Sequence, residues 1–578
     1  MSDFPWLTTA IVVPLVGAAM CAAVPRGREV LAKQLALLTS FVTLAVVIGA
    51  ATEFEKHGER LQLTEEHSWI KQFGVSYALG VDGVGLVMIL LTAALTPILL
   101  LAAWHEVDEG EGRAGAEDTE RTRGSTGVYL AMILVLEGMA IGQFVAADVF
   151  LFYVLFEAML IPMYYLIGRY GGPQRQYAAV KFLLYNLLGG LLMLVGVVTL
   201  YFAGPGGEKA YLLSTLTGTG LPNNGLDQNT ARWIFLAFFV AFAIKAPLWP
   251  LHTWLPDAVA ESTPSNAVLL SGILDKVGVF AMLHLCLPLF PEASHWFAPT
   301  AVTLAVISII YGALLAIGQT DMKRLIAYTS VSHYGFIVLG IFVMTSQGGS
   351  GATLYMVNHG FATAGLMLIA GFMMSRRGSR LISAYGGVQK VAPVLAGTFL
   401  FAGLANLSLP GMSTFVSEFM VLLGAFTRYQ AAGVIAAAGV LLAALYVLIL
   451  YQRTMTGELT EGNESTPDLR PREIAVVTPI IAIILALGFF PKPALDVINP
   501  AIDRTMADVS AADPATKHAP GSAAEPAEPA EPAEPAQDGD GGEDAEPADG
   551  ATPAPSASPT VEVTSVPDPQ TSQPEALR

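Results

Sequence analysis

Apolar stretches of about twenty residues recur along most of this chain, and no other feature limits its fold as much. A hydrocarbon layer ~30 Å thick is crossed by ~20 residues of helix rising 1.5 Å each. Windows of that size fall near 4–24, 31–51, 83–104, 127–147, 149–168, 179–203, 232–255, 266–290, 298–318, 324–345, 350–374, 393–427, 432–455 and 473–490, fourteen in all. Lipid offers the backbone no hydrogen bonds, so each window must satisfy its own as a helix. The expected fold class is an all-α polytopic membrane protein with about 14 transmembrane helices, embedded in a lipid bilayer. Composition agrees, with 53% of the 578 residues hydrophobic and only 13% charged. The first window follows Asp3 rather than a basic segment and is succeeded by further spans, so it reads as a membrane helix and not a removable signal.

The formal net charge of −18 misdescribes the membrane body. From Ala501 onward there are 16 acidic and 3 basic residues, which leaves about −5 for everything before. This segment is rich in Pro, Ala and Glu and contains AEPAEPAEPAEPA from Ala524 to Ala536. Proline at every third position prevents helix propagation, and like charges extend the chain, so 501–578 is expected to be disordered. Nothing in the charge pattern points to nucleic acid. Lysine and arginine concentrate in the odd-numbered connections, for example Arg26, Arg169, Lys323, Arg376 and Arg453. The positive-inside rule makes those loops cytoplasmic, and an even span count then puts both termini outside the cytoplasm.

Against this background the ionisable residues inside the windows stand out. Residues 241–258 read AFAIKAPLWPLHTWLPDA, with Lys245 just ahead of Pro247 and Pro250. A lysine at bilayer depth costs at least ~2.5 kcal/mol on insertion scales, and such residues commonly mark ion pathways. The prolines must interrupt the helix, which is tolerated where backbone lines a protein-enclosed, hydrated cavity. Glu157, Lys276, His333, His359 and Glu418 each lie about halfway along their own windows, and Glu418 follows a second break at Pro410–Gly411. A lone intramembrane histidine is most simply a helix–helix hydrogen bond. Six ionisable groups at a common depth, two of them beside proline breaks, point instead to a proton relay. Burial disfavours the charged form of lysine and glutamate while an opposite charge restores it, so a buried Glu–Lys pair can act as a switch.

Glu137, Lys181 and His252 are weaker candidates. Glu137 either joins the path or bonds a neighbour. Lys181 is placed to snorkel toward the cytoplasmic surface, with a role beside Glu157 and Lys245 as the alternative. His252 either carries the path or caps the broken helix. Asp275 is expected to face away from Lys276, since neighbours on a helix do not share a face. Two cysteines, Cys21 and Cys286, lie in separate apolar windows, which leaves no Cys-ligated metal or cluster. The chain has no phosphate loop, no Gly-rich dinucleotide fingerprint and no CxxC motif, so neither cofactor nor metal is expected in it.

The stretches FEAMLIPMYYLIG, AIKAPLWPLHTWLPDA, LDKVG, KRLIAYTSVSHYGF, VNHG and FVSEFM resemble, in order and spacing, signatures of subunit M of bacterial proton-translocating NADH-quinone oxidoreductase. This is respiratory complex I, and mitochondrial chain 4 is the counterpart. The resemblance runs from about residue 80 to 455. It implies an antiporter-like fold with two inverted five-helix repeats, spanning 127–290 (helices four to eight) and 298–455 (helices nine to thirteen), and two broken helices. Residues 1–126 would hold helices one to three, and 456–500 the last one. By the same resemblance Glu157 and Lys245 are the gating pair, Lys276 the central relay lysine, His333 and His359 the connecting histidines, and Glu418 the exit carboxylate. Glutamate at that last position, where L- and N-type subunits carry lysine, favours M. The implied function is proton translocation in the membrane arm of this translocase, coupled to quinone reduction elsewhere. FMN, iron–sulfur clusters and quinone would belong to partner subunits, with L- and N-type subunits as neighbours in a bacterial cell membrane. The alternatives are a subunit of an Mrp-type cation/proton antiporter and the membrane arm of a hydrogenase.

Overall fold

The computed structural model describes residues 4–106, 125–217, 227–511 and 513. The acidic 107–124 loop and the AEP repeats lie outside the described residues. Among those described, twelve helices are long and apolar enough to cross a membrane. They are α1 (Trp6–Ala23), α2 (Glu29–Glu53), α3 (Gly83–Ala102), α4 (Thr126–Phe144), α5 (Val149–Tyr170), α6 (Arg175–Ala203), α9 (Pro264–Leu289), α10 (Pro291–Ile317), α11 (Met322–Phe342), α12 (Ser346–Arg377), α15 (Gln430–Met455) and α16 (Pro471–Phe489). A bent pair, Ile382–Lys390 with Pro393–Asn406, would make a thirteenth. The expected windows 232–255 and 393–427 are the interrupted ones. The first becomes α7 (Gln228–Lys245) and α8 (Trp254–Glu261), the second α13 (Pro393–Asn406) and α14 (Ser413–Arg428).

Helix starts are fixed by side chains that accept the otherwise unpaired first N–H groups. Asp82 accepts from Gly85 at α3, Asp148 from Phe150 and Leu151 at α5, and Asp321 from Lys323 and Arg324 at α11. Packing grades the bundle from rim to centre. α12 is buried continuously from Gly348 to Met374 and α9 and α11 are nearly as enclosed, whereas only about a third of the residues of α1, α2 and α16 are fully buried. The most enclosed helices are those that carry Lys276, His333 and His359.

Two features depart from the expected all-helical pattern. Strands β1 (Gln62–Ile70) and β2 (Val75–Val81) form an antiparallel hairpin between α2 and α3, turned through Gly74 at φ 64°. Carboxylates bind it to helix starts: Glu65 accepts the Leu7 and Thr8 N–H groups at the start of α1, and Asp148 also accepts from Ser76 of β2. The second departure corrects the boundary drawn at residue 501. Helix α17 (Lys492–Asp508) crosses it, with Ile498, Ile502 and Met506 buried at a spacing of four. This stripe has the period of a helix face, which the charge count of the whole segment conceals. α17 lies against the first residues of α3 and α12, so closely that a Cβ on Gly83 would stand 2.0 Å from the Val497 carbonyl.

Candidate functional site

Lys245 is the last residue of α7, not a mid-helix position as the window suggested. Pro247 and Pro250 end the helix there, and the unpaired carbonyls of its last turn favour a cation at that point. Trp254 Nε1 donates to the freed Ile244 carbonyl at 2.9 Å, so the break is satisfied from within the protein. Lys245 is 2% exposed and its ammonium lies over the Phe156 ring, 4.7 Å from the centroid. Glu157 follows Phe156 on α5 and acts on Lys245 electrostatically, but no hydrogen bond or ion pair joins the two. Glu157 Oε1 has no hydrogen-bond partner and rests where a side chain at Gly190 of α6 would begin.

Lys276 sits in the middle of α9 between two π-helical segments, Leu270–Leu274 and Met282–Cys286. Such insertions loosen the regular hydrogen-bond ladder and recur at functional positions. The lysine is completely buried; its Nζ donates to the Ser271 carbonyl at 2.7 Å and lies 2.9 Å from His359 Nδ1 and 3.4 Å from the Tyr334 hydroxyl. With Nδ1 accepting from the ammonium, the other ring nitrogen of His359 is a donor, and Thr363 Oγ1 lies 3.2 Å from it. The His333 ring meets the His359 ring edge to face, with centroids 5.2 Å apart. His333 Nε2 is 3.3 Å from the Tyr446 hydroxyl. Tyr355 donates to Glu418 Oε2 at 3.3 Å, and Ser408, inside the break between α13 and α14, donates to the same oxygen.

These contacts bring four of the six main candidates into one row: Lys276, His359, His333 and, through Tyr355, whose ring lies 5.9 Å from that of His333 and whose hydroxyl meets the carboxylate, Glu418. Glu157 and Lys245 form a second group at the α7 break. Asp275 stands between the groups. It makes no hydrogen bond with Lys276, as its place on the helix requires, yet it is fully buried and its charge acts on both Lys245 and Lys276.

The secondary candidates separate. Lys181 is ion-paired: its Nζ meets Asp257 of α8 at 2.7 Å, and Arg324 of α11 binds the other oxygen of that carboxylate at 2.5 Å. The carboxylate it meets lies on the second half of the broken helix. His252 is buried inside the α7–α8 break, edge-on to Tyr311 at 5.2 Å, and its Nδ1 has no partner. Glu137 is buried on α4 with Thr96 as its polar neighbour; neither carboxylate oxygen makes a hydrogen bond of good geometry, and no contact joins it to the row. Sequence reasoning overlooked Tyr334, Tyr355, Tyr446 and Ser408. Tyr355 was within reach, because it precedes His359 by four residues and so shares its helix face; Tyr446 lies in an otherwise apolar run and gave no comparable signal.

The fold and this row define a polytopic helix bundle with two interrupted helices and a buried string of proton donors and acceptors. A family model described as NADH:quinone oxidoreductase/Mrp antiporter, TM, matches residues 146–445. NADH-quinone oxidoreductase subunit M of Mycobacterium tuberculosis is 51% identical over 533 residues, covering 89% of this chain and 96% of that protein. A chain of respiratory complex I from Thermus thermophilus superposes with a TM-score of 0.76 at 31% identity, covering 87% of this chain and 99% of that one. A chain of the Mrp complex from a Dietzia species shares the fold, with a TM-score of 0.74 at 23% identity and coverage of 88% and 99%. The chain belongs to the subunit M family of NADH-quinone oxidoreductase.

Proposed function

We propose that this chain carries protons across the membrane arm of an NADH:quinone oxidoreductase through Glu157, Lys245, Lys276, His359, His333 and Glu418. The observation that carries this reading is a buried series of contacts: the Lys276 ammonium on His359, the His359 ring on His333, His333 on the Tyr446 hydroxyl and the Tyr355 ring, and the Tyr355 hydroxyl on Glu418. Every link is a group that can both give and accept a proton, or can be made to by a change of charge next to it. Glu157 and Lys245 act as the switch at one end, with Asp275 coupling their charge to Lys276. Lys181 works through Asp257 by holding α8 against α6 and α11.

On this reading the chain itself has no redox role. Electrons pass through FMN, iron–sulfur clusters and quinone in partner subunits, and its membrane neighbours are antiporter-like subunits of the L and N types. The helices of 127–290 and 298–455 form the two inverted repeats, each with one broken helix. The host membrane is the bacterial cell membrane, with both termini on its outer side.

The test is at Glu418. Glutamine keeps its shape and hydrogen bonding but cannot carry a proton, so Glu418→Gln should abolish most coupled NADH oxidation and proton pumping, while Glu418→Asp retains part of both. Wild-type pumping by the assembled Gln variant would show that the relay ends elsewhere. Sodium-dependent exchange by a purified complex lacking flavin and NADH oxidation would instead place the chain in an Mrp-type antiporter.

A further inference from the structure

Glu157 and Lys245 face each other without touching, and each is held by something else. The Phe156 ring beneath the Lys245 ammonium is fully enclosed. It packs against Phe242 at 6.0 Å and Phe152 at 6.1 Å, so it cannot turn away from the cation. Phe242 lies one turn before Lys245 on α7, which joins the lysine and the ring in one cluster. On the other side, a Cβ built on Gly190 would stand 1.4 Å from Glu157 Oε1. The carboxylate occupies a notch that exists only because residue 190 has no side chain. Phe156 and Glu157 are consecutive on α5, about 100° apart around the helix, so one helix offers the ammonium two positions side by side.

We propose that Phe156 is a positioning residue for proton transfer: its ring is the second seat of the Lys245 ammonium, occupied while Glu157 is withdrawn into the Gly190 notch. A lysine that leaves its carboxylate inside a protein normally faces an uncompensated desolvation penalty. The negative face of an aromatic ring offsets part of it, and the attraction strengthens when water is excluded. The separated pair is then a built state comparable in energy to the closed one. Asp275, which also acts electrostatically on Lys245, is placed to bias the cation between the two seats. A leucine at 156 would fill the space but offer no such face.

The inference rests on reading Glu157 and Lys245 as the working pair, and the experiment separates the two. Purified, reconstituted complex carries Phe156→Leu, Phe156→Met or Phe156→Tyr, or a difluoro- or pentafluorophenylalanine at 156; a Glu157→Gln complex is measured beside them. Fluorination keeps the ring's shape while draining its negative face. Preparations are matched by NADH oxidation with an artificial acceptor, and coupled NADH:quinone turnover with proton pumping is read. Tyr should preserve turnover, Leu and Met should lower it about tenfold, and fluorination should lower it progressively. Turnover indifferent to fluorination, with Glu157→Gln impaired, would overturn the aromatic seat and leave the pair standing. Full pumping by Glu157→Gln would overturn the pair and the seat with it.

Discussion

The Lys276 ammonium nitrogen lies 2.9 Å from His359 Nδ1, deep inside the bundle and with no solvent contact on either side. The lysine is on α9 and the histidine on α12, so this one contact joins the two halves of the buried row. His359→Leu removes the acceptor and should lower coupled NADH oxidation by roughly a hundredfold or more, the usual contribution of a positioned proton-transfer group. His359→Gln can accept from the lysine but cannot pass a proton on, and should be nearly as impaired. Recovery of turnover by Gln, measured in membranes with matched complex content, would reduce His359 to a hydrogen-bond acceptor.

Gly190 should be intolerant of even one methyl group. In Gly190→Ala the new Cβ displaces the Glu157 carboxylate, which lies 1.4 Å from where that atom would sit, and pushes it out of its notch. Coupled turnover should fall several-fold without loss of the assembled complex. Gly397→Ala on α13 is the control: nothing lies within 4 Å of its Cβ, and alanine favours the helix by up to ~1 kcal/mol. Equal turnover in the two variants would show that Glu157 does not need the notch.

Arg376 and Glu473 hold α12 against α16 through two parallel bonds of 3.0 and 2.5 Å, and both side chains are nearly inaccessible to solvent. Breaking a buried pair by removing one partner costs about 3–5 kcal/mol, because the other charge stays behind. Glu473→Ala should therefore lower the thermal midpoint of the solubilised complex, while Glu473→Gln, which still accepts from the guanidinium, should lower it less. An unchanged midpoint for Glu473→Ala would mean that the carbonyls of Pro467 and Asp468, which also bind Arg376, suffice to hold it.

Where the chain can be cut follows from α17. A stop after Asp513 keeps Ile502 and Met506 in their buried positions, the Arg60–Asp508 pair at 2.5 Å and the bond between His295 Nε2 and the Val509 carbonyl at 2.7 Å. A stop after Pro500 removes all of these, including two apolar side chains each contributing roughly 1.5–3 kcal/mol by burial. The longer product should assemble and pump, and the shorter should assemble poorly on native gels. Equal assembly of both would show that this part of α17 is dispensable.

The amino-acid sequence by itself determined the membrane class, the helix windows and both helix breaks. Each of these follows from local rules: twenty apolar residues have no alternative to a helix in lipid, and proline lacks the N–H that a helix interior needs. It also singled out the six main relay candidates, because a charge in an apolar run is costly wherever the helix ends up. Only the tertiary structure decided which of them meet. Lys276 and His359 are 83 residues apart, and their contact depends on how α9 and α12 rotate and cross, which no local pattern encodes. The same holds for the pairing of Lys181 with Asp257, and for Glu137, buried beside Thr96 and left out of the row. The tyrosines that lie between His333 and Glu418 also escaped the sequence, because a tyrosine in a membrane window is as compatible with packing as with proton transfer. The hairpin and α17 were missed for a different reason: their apolar faces are short and interleaved with charge, and their stability comes from docking onto helix ends already in place.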